Sequence, residues 1–211
     1  MGETVGPGHL RRTAIACRFF FEPLSHMDWS RSASDLGWSC RQALDHISNT
    51  LVFYATHLAS EATSLLPRIR DGAEAATLPM LLISLETTAA ILARVVEASP
   101  PTTRAFHPAG MADPSGFAAM GCDEMLIHTN DIGQGLGARF APPEDVCRAV
   151  LERLFPWAPE GLEAWETLLW ANGRGELPGV ARQDENWYWH CAPLEEWNGK
   201  IARRKAPPGW S

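Results

Sequence analysis

Glu124 and His128 stand four residues apart in a stretch, 116–131, that reads as helix. Residues at i and i+4 leave a helix from the same face, so a carboxylate and an imidazole at this spacing can hold two positions of one divalent ion. A third ligand would complete an open site, and His46, on an earlier predicted helix, is the candidate. His57 shares its face but lies eleven residues further on, roughly 16 Å along a helix axis, too far to join the same ion. Asp131 follows His128 by three and falls near the same face, where it could orient a ligating ring or move a proton. Glu and His at i, i+4 also occur as an ordinary solvated pair, and this is not the HExxH pattern of metalloproteases. An open metal position accepts either a thiol, which the cation converts to its thiolate, or a water, which it activates for hydrolysis, and spacing does not choose between them. Carboxylate and imidazole donors suit zinc, nickel, iron and manganese alike.

Long helices must carry these residues. A first helix is expected from His9 to about Pro23, and a second from near Trp38 to about Ser60. In the second, Leu44, Ile47, Leu51, Tyr54, Ala55 and Leu58 keep amphipathic three-and-four spacing. A third is expected from about Ala73, after the punctuation of Pro67 and Asp71-Gly72, to Ala98, stopped by Pro100 and Pro101. Residues 106–116 read as a turn-rich linker. Asp113 before Pro114 is an N-cap signal for a fourth helix running to about Leu136, with Gly137 as its stop. A fifth helix is expected from Pro142 to Leu154 and a short sixth from Gly161 to Asn172. No strand is expected before residue 180, and residues 186–191 read as one short strand or an ordered tail. The expected fold class is all-α: a four-helix bundle over 1–158, with a C-terminal extension, 159–211, packed on it.

Two stretches carry a resemblance. Trp38, Leu44, His46 and Ile47 keep the spacing of the opening motif of the DinB-like superfamily, and Glu124, His128, Asp131 and Ile132 that of its second motif. The chain resembles this superfamily over most of residues 8–157. Glutamate at 124 makes it similar to the mycothiol-dependent maleylpyruvate isomerase branch, although the tail from Gly161 is shorter than that enzyme's C-terminal domain. The resemblance implies a four-helix bundle holding a divalent metal, usually zinc, through His46, Glu124 and His128. It also implies use of a low-molecular-weight thiol such as mycothiol or bacillithiol, as cosubstrate for an electrophilic acceptor, in S-transfer or isomerisation. The competing class is a non-catalytic bundle that binds metal or a small ligand as a sensor or stress protein.

Such a thiol needs polar anchors, and Arg41, Asn49 and Asn130 lie near the ligands in sequence. Arg104, His107 and His190 are further candidates for the rim of the site. Cys40 and Cys122 flank the motifs but have no base partner, so they read as small buried hydrophobes.

The rest of the composition limits the partners. The chain has 211 residues and a net charge of −7, from 25 acids against 18 bases, which disfavours nucleic acid and anionic membranes. Five cysteines with no CxxC pair speak against a disulfide scaffold, and no basic-then-apolar leader opens the sequence, so a cytoplasmic location is the expectation. The most apolar stretch, 78–96, is interrupted by Glu86 and Arg94 and reads as a core helix rather than a membrane span. Nine tryptophans are many for this length. Trp187, Trp189, Trp197 and Trp210 crowd the tail and are expected to clip it to the bundle, with a ligand-stacking or homodimer surface as the alternative. Arg203, Arg204 and Lys205 read as a solvated end.

Overall fold

The computed structural model describes residues 4–67, 75–184 and 186–204. Among these the chain is mostly helical, with six α-helices and one two-stranded sheet. Helix α1 spans Pro7–Phe21, α2 Cys40–Ala59, α3 Leu78–Ala98, α4 Pro114–Leu136, α5 Glu144–Leu154 and α6 Ala164–Ala171. The sequence sets most of the starts. Ser39 caps α2 by accepting from the Gln42 backbone N–H, while the Gln42 side chain accepts from the Ser39 N–H, a reciprocal capping box that opens directly after Trp38. Asp113 caps α4 through the Gly116 N–H at 2.9 Å, and Gly137, at φ 74°, ends it in the left-handed conformation.

Helix α3 begins at Leu78, with Pro79 in its first turn, so among the described residues it starts later than its apolar pattern suggests. The Asp71-Gly72 punctuation and the expected start at Ala73 lie outside the described residues, as does Trp210.

One expectation about strands is corrected. The linker before α4 is a short antiparallel hairpin, β1 (Ala105–His107) and β2 (Gly110–Ala112), tied to the end of α2 by the Phe106 N–H donating to the Ala62 carbonyl. Three-residue strands leave no period-two pattern long enough to read. Of the two alternatives for 186–191, the structure has the ordered tail, with an isolated bridge between Trp187 and Arg203.

Helices α1 and α2 both pack against both α3 and α4, and α5 packs on α4 and on α6. Helix α3 is long and apolar enough to cross a membrane by length and composition. Its Leu81, Leu85, Ala89, Leu92 and Ala93 are buried in the shared core. The centre of the molecule is α4, where every residue from Gly116 to Gly133 is buried. Glycine lets neighbouring backbone come this close. A Cβ at Gly116 would sit 2.1 Å from the Cys191 carbonyl oxygen, and one at Gly135 would sit 2.2 Å from that of Ser32. The C-terminal segment and the loop before α2 therefore both lie directly on α4. A helix buried on all sides must be apolar or must pair its polar groups. Helix α4 nonetheless buries Asp123, Glu124, His128, Thr129, Asn130 and Asp131, and these residues form the heart of the site.

Candidate metal centre

His46 of α2 meets Glu124 and His128 of α4. Glu124 Oε2 lies 3.2 Å from His128 Nε2 and 3.7 Å from His46 Nε2, and one ligand atom from each of the three residues falls within 4.8 Å of the others. Ligands about 2.05 Å from a tetrahedral zinc ion stand roughly 3.3 Å apart, so the two carboxylate–imidazole separations bracket what such an ion needs. Two imidazoles and a carboxylate are a fitting donor set for a divalent cation, and His46, Glu124 and His128 could hold one.

Surrounding groups fix the three side chains. The Tyr54 hydroxyl donates to Glu124 Oε1 at 3.2 Å, which leaves Oε2 for the imidazoles. Trp38 packs its indole 4.6 Å from the His46 ring and 6.1 Å from the His128 ring, centroid to centroid. The two imidazoles meet edge to face at 86°. His128 Nδ1 lies 3.3 Å from Asp131 Oδ2, so its Nε2 is the nitrogen turned to Glu124. Arg174, just past α6, holds Asp131 from behind through Nη2 at 3.2 Å and Nε at 3.5 Å.

The electrostatics are those of a tightly paired buried cluster. Burial resists charge on Glu124, yet His128 and His46 outweigh it and hold the carboxyl well below its usual range. Burial likewise resists charge on His128, but the Asp131 and Glu124 carboxylates raise it to about 9. Asp131 is lowered: His128 and Arg174 overcome its desolvation. Its neighbour Asp123 goes the other way. Burial pushes it up to about 7, even though Trp189 Nε1 and Asn172 Nδ2 donate to it at 2.9 and 3.0 Å.

The triad opens onto a cavity of about 640 Å³, within the usual range for small-molecule sites. One side is Trp38 with the loop before α2; the floor is His46, Asp123, Glu124, Ile127 and His128. The remaining wall comes from the C-terminal segment, through Gly173, Arg174, Arg182, Trp187, Trp189 and Arg204 among others. That wall is clamped to α4 by buried Arg153, which pairs with Asp113 and donates to the carbonyls of His190 and Cys191 at 3.1 Å.

Several candidates from the sequence lie elsewhere. Arg41 donates to the Ala76 carbonyl, Asn49 Nδ2 is 3.5 Å from Asp45 Oδ2, and Asn130 is buried in α4; none of the three lines the cavity. Nearness along a helix is not nearness in angle: Asn130, two residues from His128, leaves α4 roughly 200° away. Asp131 is also off the cavity, its carboxylate shared between His128 and Arg174, which is the geometry of an orienting group. Arg104 pairs with Glu196 and caps carbonyls of its own turn. His190 Nε2 is 3.0 Å from the Pro193 carbonyl.

His107 is buried among Tyr54, Phe117, Tyr188 and Trp189, and burial lowers it to about 3. His57 accepts from the Leu66 N–H and is a local clasp. The cysteines among the described residues are free and buried; Cys122 is pushed up to about 12 by burial, which suits a packing role. Arg204 is not a solvated end. It stacks on Tyr188 at 4.9 Å and Trp187 at 5.5 Å and reaches the cavity. Sequence reasoning missed Arg174, Arg182 and Arg204 as cavity residues, and no local spacing marks them.

In comparisons with family models, with curated proteins and with solved structures, nothing matches this chain.

Proposed function

We propose that the chain is a metal-dependent enzyme that activates a low-molecular-weight thiol, of the mycothiol kind, for S-transfer or isomerisation on an electrophilic acceptor. On this reading α1–α4 form a four-helix bundle of the DinB-like type and the segment from 159 onward closes its active site. The observation that carries the reading is the convergence of His46 with Glu124 and His128 at the floor of an open cavity. A divalent cation held there supplies the charge that favours the thiolate of an incoming thiol at neutral pH. The protein's own groups do the positioning. Asp131, backed by Arg174, sets the His128 ring; Tyr54 sets Glu124; Trp38 packs at a tilt against His46. Zinc is the first choice of metal, with nickel and iron next, because nitrogen and carboxylate donors accept all three.

Protein purified without added metal should carry close to one equivalent of a divalent metal by elemental analysis, and His46→Ala and His128→Ala should each lose it. Thermal-shift titration of the loaded protein with mycothiol, bacillithiol and glutathione should then single out one thiol, and that thiol should support turnover of an electrophile. Stoichiometric metal with no response to any thiol would sink the catalytic reading and leave a metal-binding bundle.

A further inference from the structure

The C-terminal wall of the cavity brings three guanidinium groups toward the triad, and their hydrogen bonds divide them into two kinds. Arg174 is spent on the fold. Its Nε and Nη2 serve Asp131, and its Nη1 donates to the Asn172 carbonyl at 3.0 Å. Arg204 is half spent. Its Nε donates to the Trp187 carbonyl at 3.3 Å and its Cζ lies over the Tyr188 and Trp187 rings, while neither Nη makes a hydrogen bond among the described residues. Arg182, at the exposed rim, makes no hydrogen bond or ion pair among the described residues.

The acids of the cavity do not cancel them. Asp184 pairs outward with Arg203, and Asp123 is satisfied by Trp189 and Asn172. Glu124 belongs to the imidazoles. Asp35, which also lines the cavity, makes no hydrogen bond or ion pair among the described residues. A stacked guanidinium with open Nη donors is pre-organised for a planar oxyanion, because little freedom remains to be lost on binding.

We propose that Arg182 and Arg204 form an anion-recognition wall, so that the molecule entering this cavity carries a carboxylate, held by these guanidinium groups while its reacting end reaches the His46–Glu124–His128 floor. This rests on the reading of the cavity as a substrate site, and it narrows the substrate class to anionic small molecules. Trp38, Trp187 and Trp189 line the same space, so ligand binding is readable from tryptophan fluorescence without any metal–sulfur bond.

The test titrates the full-length, zinc-loaded protein with mercaptoalkanoates from 3-mercaptopropionate to 6-mercaptohexanoate and with the matching amides, and repeats the best pair with inorganic phosphate as competitor. At least one acid should bind roughly tenfold or more tightly than its amide, the worth of one charge-assisted hydrogen bond. Arg182→Gln and Arg204→Gln should each erase most of that preference. Arg182 makes no hydrogen bond or ion pair among the described residues, so a loss there is not a folding defect. Equal binding of acid and amide, no saturable binding of either, or a preference unchanged in both variants overturns the proposal. Displacement of the acid by phosphate at equal concentration would overturn the choice of carboxylate. The cobalt-substituted protein separates this result from the functional reading. If no thiol changes its visible spectrum while the acid preference holds, thiol activation falls and the anion wall stands.

Discussion

Metal binding at this centre must displace a proton, and that fixes how affinity changes with pH. A ligating imidazole has to be neutral. Without metal, the Asp131 and Glu124 carboxylates overcome burial and hold His128 protonated up to about 9. At pH 7 the proton must be removed about two units below that point, at roughly 1.4 kcal/mol per unit, or about 3 kcal/mol in all. Apparent affinity should therefore climb close to tenfold per pH unit from about 7 and level off near 9. Competition with a chromophoric chelator of known protonation constants, in non-coordinating buffers, measures this. Asp131→Asn removes one of the two carboxylates, so the levelling-off should move to lower pH. The plateau affinity should fall roughly 10–100-fold as His128 loses its orienting partner.

Stability of the metal-free protein should run the other way. A histidine raised from 6.5 in the folded state stabilises fully below about pH 6.5, and that contribution is lost as pH rises through about 9, at most about 3 kcal/mol. The melting temperature of metal-free protein should fall across this window, and that of loaded protein should not. An affinity flat from pH 7 to 9, or an Asp131→Asn profile that levels off at the wild-type pH, would refute the coupling of His128 to these carboxylates.

Three further substitutions probe what holds the centre together. Tyr54→Phe removes the hydroxyl on Glu124 Oε1, and should weaken metal binding roughly tenfold in the chelator assay while leaving the helix content by circular dichroism unchanged. Arg153→Ala leaves Asp113 and the carbonyls of His190 and Cys191 without their buried cation, and should cost about 3–5 kcal/mol in urea unfolding. Gly116→Ala drives a methyl into the Cys191 carbonyl, so it should expose the C-terminal segment to limited proteolysis and lower stability by about 1–3 kcal/mol.

The metal group was legible because its signal is local. Glu124, His128 and Asp131 lie within two turns of one helix, and the Asp113-Pro114 start and Gly137 stop fix that helix in sequence. His46 was legible for a related reason: it lies on a helix whose apolar positions Leu44, Ile47, Leu51, Tyr54, Ala55 and Leu58 keep amphipathic spacing, and it meets Glu124 of α4. The rest of the cavity depends on contacts across long stretches of chain. Arg174 reaches back 43 residues to Asp131, and Trp189 reaches 66 residues to Asp123. Such pairings have no period to read. The polar residues expected from sequence proximity, Arg41, Asn49 and Asn130, do not line the cavity, whose wall is built by the tail and not by the neighbours of the ligands.

What distinguishes α4 from a packing helix is the free energy committed to its polar residues. An unpaired charge in so buried a helix is strongly disfavoured, and an apolar replacement of similar volume is often neutral or stabilising. Stability alone therefore gives no reason to gather Asp123, Glu124, His128 and Asp131 here, each at most 8% exposed. The three carboxylates are instead compensated by groups from other parts of the chain, Tyr54 and His46 from α2, Arg174 and Asn172 after α6, and Trp189 from the tail, while His128 pairs with Glu124 and Asp131 of its own helix. The same contacts that neutralise the charges also aim the Glu124 and His128 donors at one point beside a cavity. Groups placed for packing would be satisfied in any direction. Here Tyr54 takes Glu124 Oε1, which leaves Oε2 and the imidazole nitrogens facing one another, as binding a cation requires.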